Sequence, residues 1–157
     1  MICASLDWLQ PEGKIICANN VVSYLRDITD RGLTISIGSD SMLFSKYCVF
    51  STAIAVHSNQ LQIANYFYQK EKSFDSKFKQ LEVKILKEVE YSIVIANAIK
   101  EKIFNANIEI HVDIGAEKRN ATRHLVENSR GWIISSGYIF KMKPESWAAS
   151  IADWHTK

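Results

Sequence analysis

A mixed α/β fold, a five-stranded sheet flanked by helices in the order βββαβαβα, is predicted by three features of this sequence. Three strand-like runs follow one another between residues 33 and 68, joined by short turns. A long helical stretch then separates them from a fourth, strictly alternating run. A further strand sits between two shorter helical segments near the end. Such a long helix before the fourth strand demands a crossover, so strand four can lie parallel to strand one.

Each element has a local reason. Val21, Val22, Leu25 and Ile28 recur at helical spacing over 19–30, with Asn19 or Asn20 as the expected N-cap and Gly32 as the stop. Leu33-Thr34-Ile35-Ser36-Ile37 alternates apolar and polar and leads into Gly38-Ser39-Asp40-Ser41. Residues 47–57 are rich in Val, Phe, Ile and Thr. Ser58-Asn59 reads as a turn, and 60–68 as the third strand, with Leu61, Ile63, Asn65 and Phe67 on one side. The spacing predicts a helix over about 74–104. Ile108 to Ile114 alternates until Gly115. A helix over 120–129, a strand over 137–141 and a last helix over 145–155 complete the order, with Trp132, Trp147 and Trp154 expected in the core. The 157 residues suit one domain with a core over about 33–157, preceded by an extension, 1–32, bearing one helix.

Composition excludes several classes. An apolar fraction of 47% and a charged fraction of 23% are those of a globular chain, not a disordered one. Cys3, Cys17 and Cys48 are odd in number and lack a Cys-x-x-Cys pair, which argues against a disulfide framework or zinc knuckle. No run approaches the roughly 18 apolar residues of a membrane span, and the N-terminus lacks the pattern of a secretion signal. The expected location is the cytoplasm, with no membrane partner. The net charge of +2 says little unless the positive charge is clustered.

Four carboxylates stand out. In the long helix, Phe78, Ile85, Leu86, Val89, Ile93, Ala96 and Ile103 form an apolar stripe in which Glu82 falls, with Glu88 and Glu90 off it. A carboxylate on a buried face is costly unless it is paired, protonated or bound to a cation; the alternative is a solvated glutamate of the first turn. Asp113 shares a strand face with Glu109 and His111 at the carboxyl end of strand four, where open α/β sheets place ligands. Asp40 follows strand one and would emerge beside Asp113. Asp153, on the last helix, shares a face with Ser146, Ala149 and Ser150. Asp40 and Asp113 would serve equally well as turn residues, and Asp153 as a solvated helix residue. Convergence of all four would call for two Mg²⁺ or Mn²⁺ ions, which take oxygen ligands and can clamp the attacking water and leaving oxygen of a phosphodiester.

The element order is that of the ribonuclease H-like fold. The segment His111-Val112-Asp113-Ile114-Gly115-Ala116, with Asn120-Ala121-Thr122-Arg123, resembles the His-x-Asp-Ile-Gly…Asn-x-Thr-Arg segment of YkuK-type ribonuclease H-like proteins. Gly38-Ser39-Asp40-Ser41, Leu81-Glu82 with Lys87-Glu88-Val89, and the tail Lys143-Pro144-Glu145-Ser146…Ala152-Asp153…Thr156-Lys157 are similar too, so the resemblance spans about 33–157. It implies a metal-dependent nuclease in which Asp40, Glu82, Asp113 and Asp153 are the catalytic, metal-binding acids. In ribonuclease H itself a glycine commonly follows the first aspartate, where Ser41 stands here.

Lys118, Arg119, Asn120, Thr122 and Arg123 lie around a helix start, a favourable phosphate anchor that Lys143 could extend. His111 could orient Asp113, and His155 could assist proton transfer; a surface histidine is the alternative for His155. The expected partner is nucleic acid, with RNA, DNA and hybrid left open. The alternative function is a non-catalytic nucleic-acid-binding or protein-interaction domain on the same scaffold.

Overall fold

A computed structural model describes residues 7–57, 63–115 and 120–157. The extension is more than one helix. Trp8–Leu9 (β1) and Ile15–Ile16 (β2) form a short antiparallel hairpin before helix α1, Ala18–Asp30. Val21, Leu25 and Ile28 are buried at i, i+4 and i+7, and the chain leaves α1 through Gly32 at φ 76°. Cys17, not Asn19 or Asn20, holds the N-cap position, with no side-chain hydrogen bond.

Three long strands follow: β3, Thr34–Leu43; β4, Cys48–His57; and β5, Ile63–Ser73, antiparallel in that order. Residues 58–62, with the expected turn and Leu61, lie outside the described residues. A 3₁₀ turn at Ser76–Lys79 precedes helix α2, Leu81–Lys102. Strand β6, Ile108–His111, pairs parallel to β3, as a crossover requires, and strand β7, Ile139–Lys141, pairs parallel to β6. Between them lies α3, Asn120–Ser135, and the last helix is α4, Trp147–Trp154.

Among the described residues the sheet therefore has seven strands in the order β2-β1-β5-β4-β3-β6-β7, not five. Two short strands extend the expected five at the β5 edge. Two-residue strands carry too little alternation to be read from a sequence.

The two faces of the sheet differ. Ile35, Ile37, Phe50, Ile54, Phe67, Ile108 and Ile110 belong to one aliphatic and aromatic core together with residues of α1, α2 and α3. The opposite face packs against α4, through Ala53, Ala55, Tyr68, Ile151 and Ala152. Helix α4 turns its alanines inward and leaves Trp154 59% exposed; Trp132 is also partly exposed, at 38%. Of the three expected core tryptophans only Trp147 packs against the core, half-buried against His57 and His111, because small side chains let α4 approach the strands closely. No helix among the described residues is long and apolar enough to cross a membrane.

Candidate active site

Strand β3 outruns its parallel neighbour. The β3–β6 ladder ends at the pair Gly38↔His111, whereas β3 continues to Leu43. Among the described residues no strand pairs with β3 beyond Gly38 on that side. The result is a notch at the carboxyl end of β6. Asp40 stands on its wall, two residues past Gly38, and Asp113 stands two residues past His111. Both continue the face on which α4 lies.

Gly38 and His111 together seat α4. A Cβ at Gly38 would stand 2.3 Å from the Ala149 nitrogen and 2.6 Å from the Ala148 carbonyl carbon, so only glycine admits the helix backbone there. His111 is 1% exposed. Its Nδ1 accepts from the Ala148 N–H at 3.1 Å, which leaves Nε2 to donate to Glu109 Oε1, also at 3.1 Å. That bond holds the Glu109 carboxyl below the ordinary range against the opposing effect of burial. The imidazole thereby satisfies one of the N–H groups a helix start leaves open. The expected bond from His111 to Asp113 is not made, because both ring nitrogens are engaged elsewhere. The seat fixes α4 so that Asp153, one turn and a residue after Ala148, comes within hydrogen-bond reach of Asp40.

Asp40 is pushed up to about 7, first by burial, then by the shared hydrogen bond with Asp153 and repulsion from Asp113 and Asp153; the Ser41 backbone N–H opposes this. These three expected acids are therefore neighbours.

Glu82 is not their fourth member. It is exposed in the first turn of α2. The helix carboxylate that joins the cluster is Glu88, 5% exposed and hydrogen-bonded to the Ser41 hydroxyl. Burial drives its carboxyl well above the usual range, with added repulsion from Asp40 and Asp113, while Ser41 and Lys84 act in the opposite sense. The reason for the misplacement is local. Phe78 sits on the separate 3₁₀ turn and cannot set the phase of α2. The inward face of α2 also meets a polar stretch, where Ser39 Oγ lies 2.8 Å from both Thr52 Oγ1 and Ser92 Oγ. Apolar periodicity passes over a buried face that carries serine and glutamate. The available signal was Glu88 followed by Ser92 at i+4, on the Lys87-Glu88-Val89 segment.

The remaining candidates are dispersed. Lys143 Nζ pairs with Asp113 Oδ1 at 3.0 Å and acts as the cluster's own cation. Arg123 is exposed on α3. Lys118 and Arg119 lie outside the described residues, and the side chains of Asn120 and Thr122 are likewise not described. His155 stacks on Tyr68 at 3.6 Å between ring centroids and pairs with the Tyr66 hydroxyl at 3.1 Å; burial lowers its pKa. Among the described residues, no three His, Cys, Asp or Glu side chains are gathered tightly enough to hold one metal ion. Asp40, Glu88, Asp113 and Asp153 stand close enough for Asp40 and Glu88 to feel repulsion from their neighbours.

Comparison with known proteins places this architecture. The family model described as "Ribonuclease H-like" matches residues 17–157. The chain is also similar to the "Uncharacterized protein YkuK" of Bacillus subtilis (strain 168), with 30% identity over 139 residues, covering 78% of each chain.

Proposed function

The chain belongs to the ribonuclease H-like family, and from that premise we propose that it is a metal-dependent nuclease that hydrolyses phosphodiester bonds. One observation carries this reading: carboxylates from four separate segments converge on the notch where β3 outruns β6. Asp40 comes from a strand, Asp113 from the end of its parallel neighbour, Glu88 from the helix on one face and Asp153 from the helix on the other.

The donor set suits hard divalent cations. All four groups offer carboxylate oxygen, the ligand of Mg²⁺ and Mn²⁺. Two lysines, Lys84 and Lys143, face four acids, and burial with mutual repulsion favours the protonated forms of Asp40 and Glu88, protons that a bound cation would displace. Asp40, Asp113, Asp153 and Glu88 are the residues that would hold the ions, Glu88 taking the place expected for Glu82, and binding would require their carboxyl groups to draw closer together than they stand here. Bound there, such ions supply a water of lowered pKa and charge stabilisation for the leaving oxygen. The protein's own part is placement. The Gly38–His111 seat sets Asp153 against Asp40, Ser41 orients Glu88, and Lys143 balances Asp113 at the mouth.

The test is cleavage of single-stranded, duplex and hybrid RNA and DNA with Mg²⁺ or Mn²⁺. Wild type should cut at least one of these, and Asp113→Asn should lose at least a hundredfold in rate. Equal behaviour of the two proteins on every substrate would overturn the proposal. A second reading, nucleic-acid binding without cleavage, draws on the open spacing of the acids. Calorimetric titration with Mn²⁺ separates the two, since the binding-only protein would take up no ion that Asp113→Asn abolishes.

A further inference from the structure

The β3–β4 hairpin carries a feature that the carboxylate notch does not use. Its turn presents Phe44 stacked on Tyr47, with ring centroids 4.9 Å apart and planes 27° apart. Phe74, just past β5, leans on Tyr47 at 5.8 Å and is 71% exposed. Lys72 Nζ stands 4.3 Å over the Tyr47 ring. Phe44 and Tyr47 form a wall between two grooves. One, of about 320 Å³, is lined also by Lys70, Lys72 and Lys157, and the other, of about 220 Å³, by Lys46 and Lys79.

Charge at the grooves is one-sided. Five lysines meet two carboxylates, and both carboxylates are already engaged. Glu71 shares a hydrogen bond with Tyr91. Asp75 accepts from the Lys77 N–H and pairs with its ammonium at 3.6 Å. One exposed ring and two half-buried ones amid an excess of lysines, one of which, Lys70, also donates to the Lys157 oxygen at 3.1 Å, are poorly suited to a second apolar surface, whereas a ligand with anionic links and flat apolar units satisfies both. A single-stranded nucleic acid has that alternation: phosphates for ammonium groups, base faces for rings. A duplex hides its base faces in the stack, so it would use only the charge.

Strand register ties this surface to the notch. Asp40 pairs with Ser51, and Ser51 with Lys70; one row on, Met42 pairs with Val49, and Val49 with Lys72. Asp40, Lys70 and Lys72 thus share the α4 face. Asp40 and Lys70 are two inter-strand spacings apart, about 10 Å. Ser51, between them in that row, is fully buried, so a strand running from Lys157 and Lys70 to Asp40 would pass over what covers Ser51 and not over the bare sheet.

We propose that the Phe44–Tyr47–Phe74 cluster with Lys70, Lys72 and Lys157 is a platform for single-stranded nucleic acid that leads the strand to the carboxylate notch. The delivery rests on the nuclease reading; the binding does not. The experiment is therefore fluorescence anisotropy of labelled oligo(U) and oligo(dT), against a duplex of equal length, in EDTA so that no turnover occurs. Wild type should bind the single strands more tightly than the duplex. Phe74→Ala, exposed enough to leave folding intact, should weaken single-strand binding about tenfold. Lys70→Ala with Lys72→Ala should flatten the slope of log K against log salt by about 1.4. Phe104→Ala, 84% exposed at the far end of α2, should bind as wild type does. Unchanged binding in the platform variants, equal loss in Phe104→Ala, or a wild type that binds only duplex, acidic peptide, vesicles or nothing would overturn the platform. Parallel cleavage assays with Mn²⁺ keep the two readings apart. Binding that depends on the platform without cleavage removes the nuclease alone, and cleavage indifferent to the platform variants removes the platform alone.

Discussion

The two faces of β3 use one strand for different ends. Toward α2, Ile35 and Ile37 enter a continuous core of large side chains that also holds Phe50, Ile54 and Ile93. Toward α4, Gly38 and Asp40 meet alanines and carboxyl groups, and a helix backbone comes to rest directly on the strand. Large apolar side chains stabilise in proportion to the area they bury, but they hold a helix at a distance. Small residues give up that burial and allow backbone-level positioning, which a set of acids needs. The contrast teaches that the large apolar burial lies on the α2 face and the backbone-level seating on the α4 face, with Glu88 the one acid of the cluster that enters from α2, and substitutions can probe the two separately.

The largest effect is expected on the α2 face. Ile54→Ala should cost about 2–5 kcal/mol in urea unfolding through the cavity left behind, with the activity per folded molecule kept. A comparable loss of activity per folded molecule would break the division. Next is the seat. His111→Ala leaves the Ala148 N–H and Glu109 without their partner and should cost about 1–3 kcal/mol, yet reduce cleavage more than Ile54→Ala does. His111→Gln, which can still accept from Ala148, should restore part of that activity; equal turnover in wild type and the alanine variant would show that α4 is positioned by other means.

Asp40 sharpens the comparison through pH. Its carboxyl titrates near 7 in the folded protein against an ordinary value of 3.8. The folded state therefore binds this proton more tightly than the unfolded chain does. The associated stability is complete below about pH 4 and is lost as pH rises toward 7. Asp40→Asn removes the loss, so without divalent ions it should melt several degrees above wild type at pH 8, with the gap closing toward pH 4. A gap that is constant over this range would contradict the placement of Asp40 among the acids. Smallest is Glu82→Gln, which should change stability by less than about 0.5 kcal/mol and leave cleavage as in wild type, while Glu88→Gln abolishes it.

Much of the architecture was legible in the sequence because alternation and helical spacing are local properties. The order of three strands, long helix, strand, helix, strand and helix follows from them, and the parallel β3–β6 pair follows from the crossover. Strand order also makes Asp40 and Asp113 neighbours, but Asp40 does not follow its strand as expected: it lies inside β3, three residues before Leu43, and only Asp113 stands past a strand end. Tertiary structure decided the rest. The buried face of α2 includes hydroxyl contacts to Ser39 and Ser41 of β3, which no apolar count records, and this exchanged Glu82 for Glu88. His111 was drawn to the start of α4 because a buried helix N–H needs an acceptor more than Asp113 needs a donor. The reach of Asp153 to Asp40 depends on Gly38 having no Cβ, a distance between segments more than a hundred residues apart. Periodicity assigns a residue to a face; what occupies that face, and how closely it approaches, is set only when the layers pack.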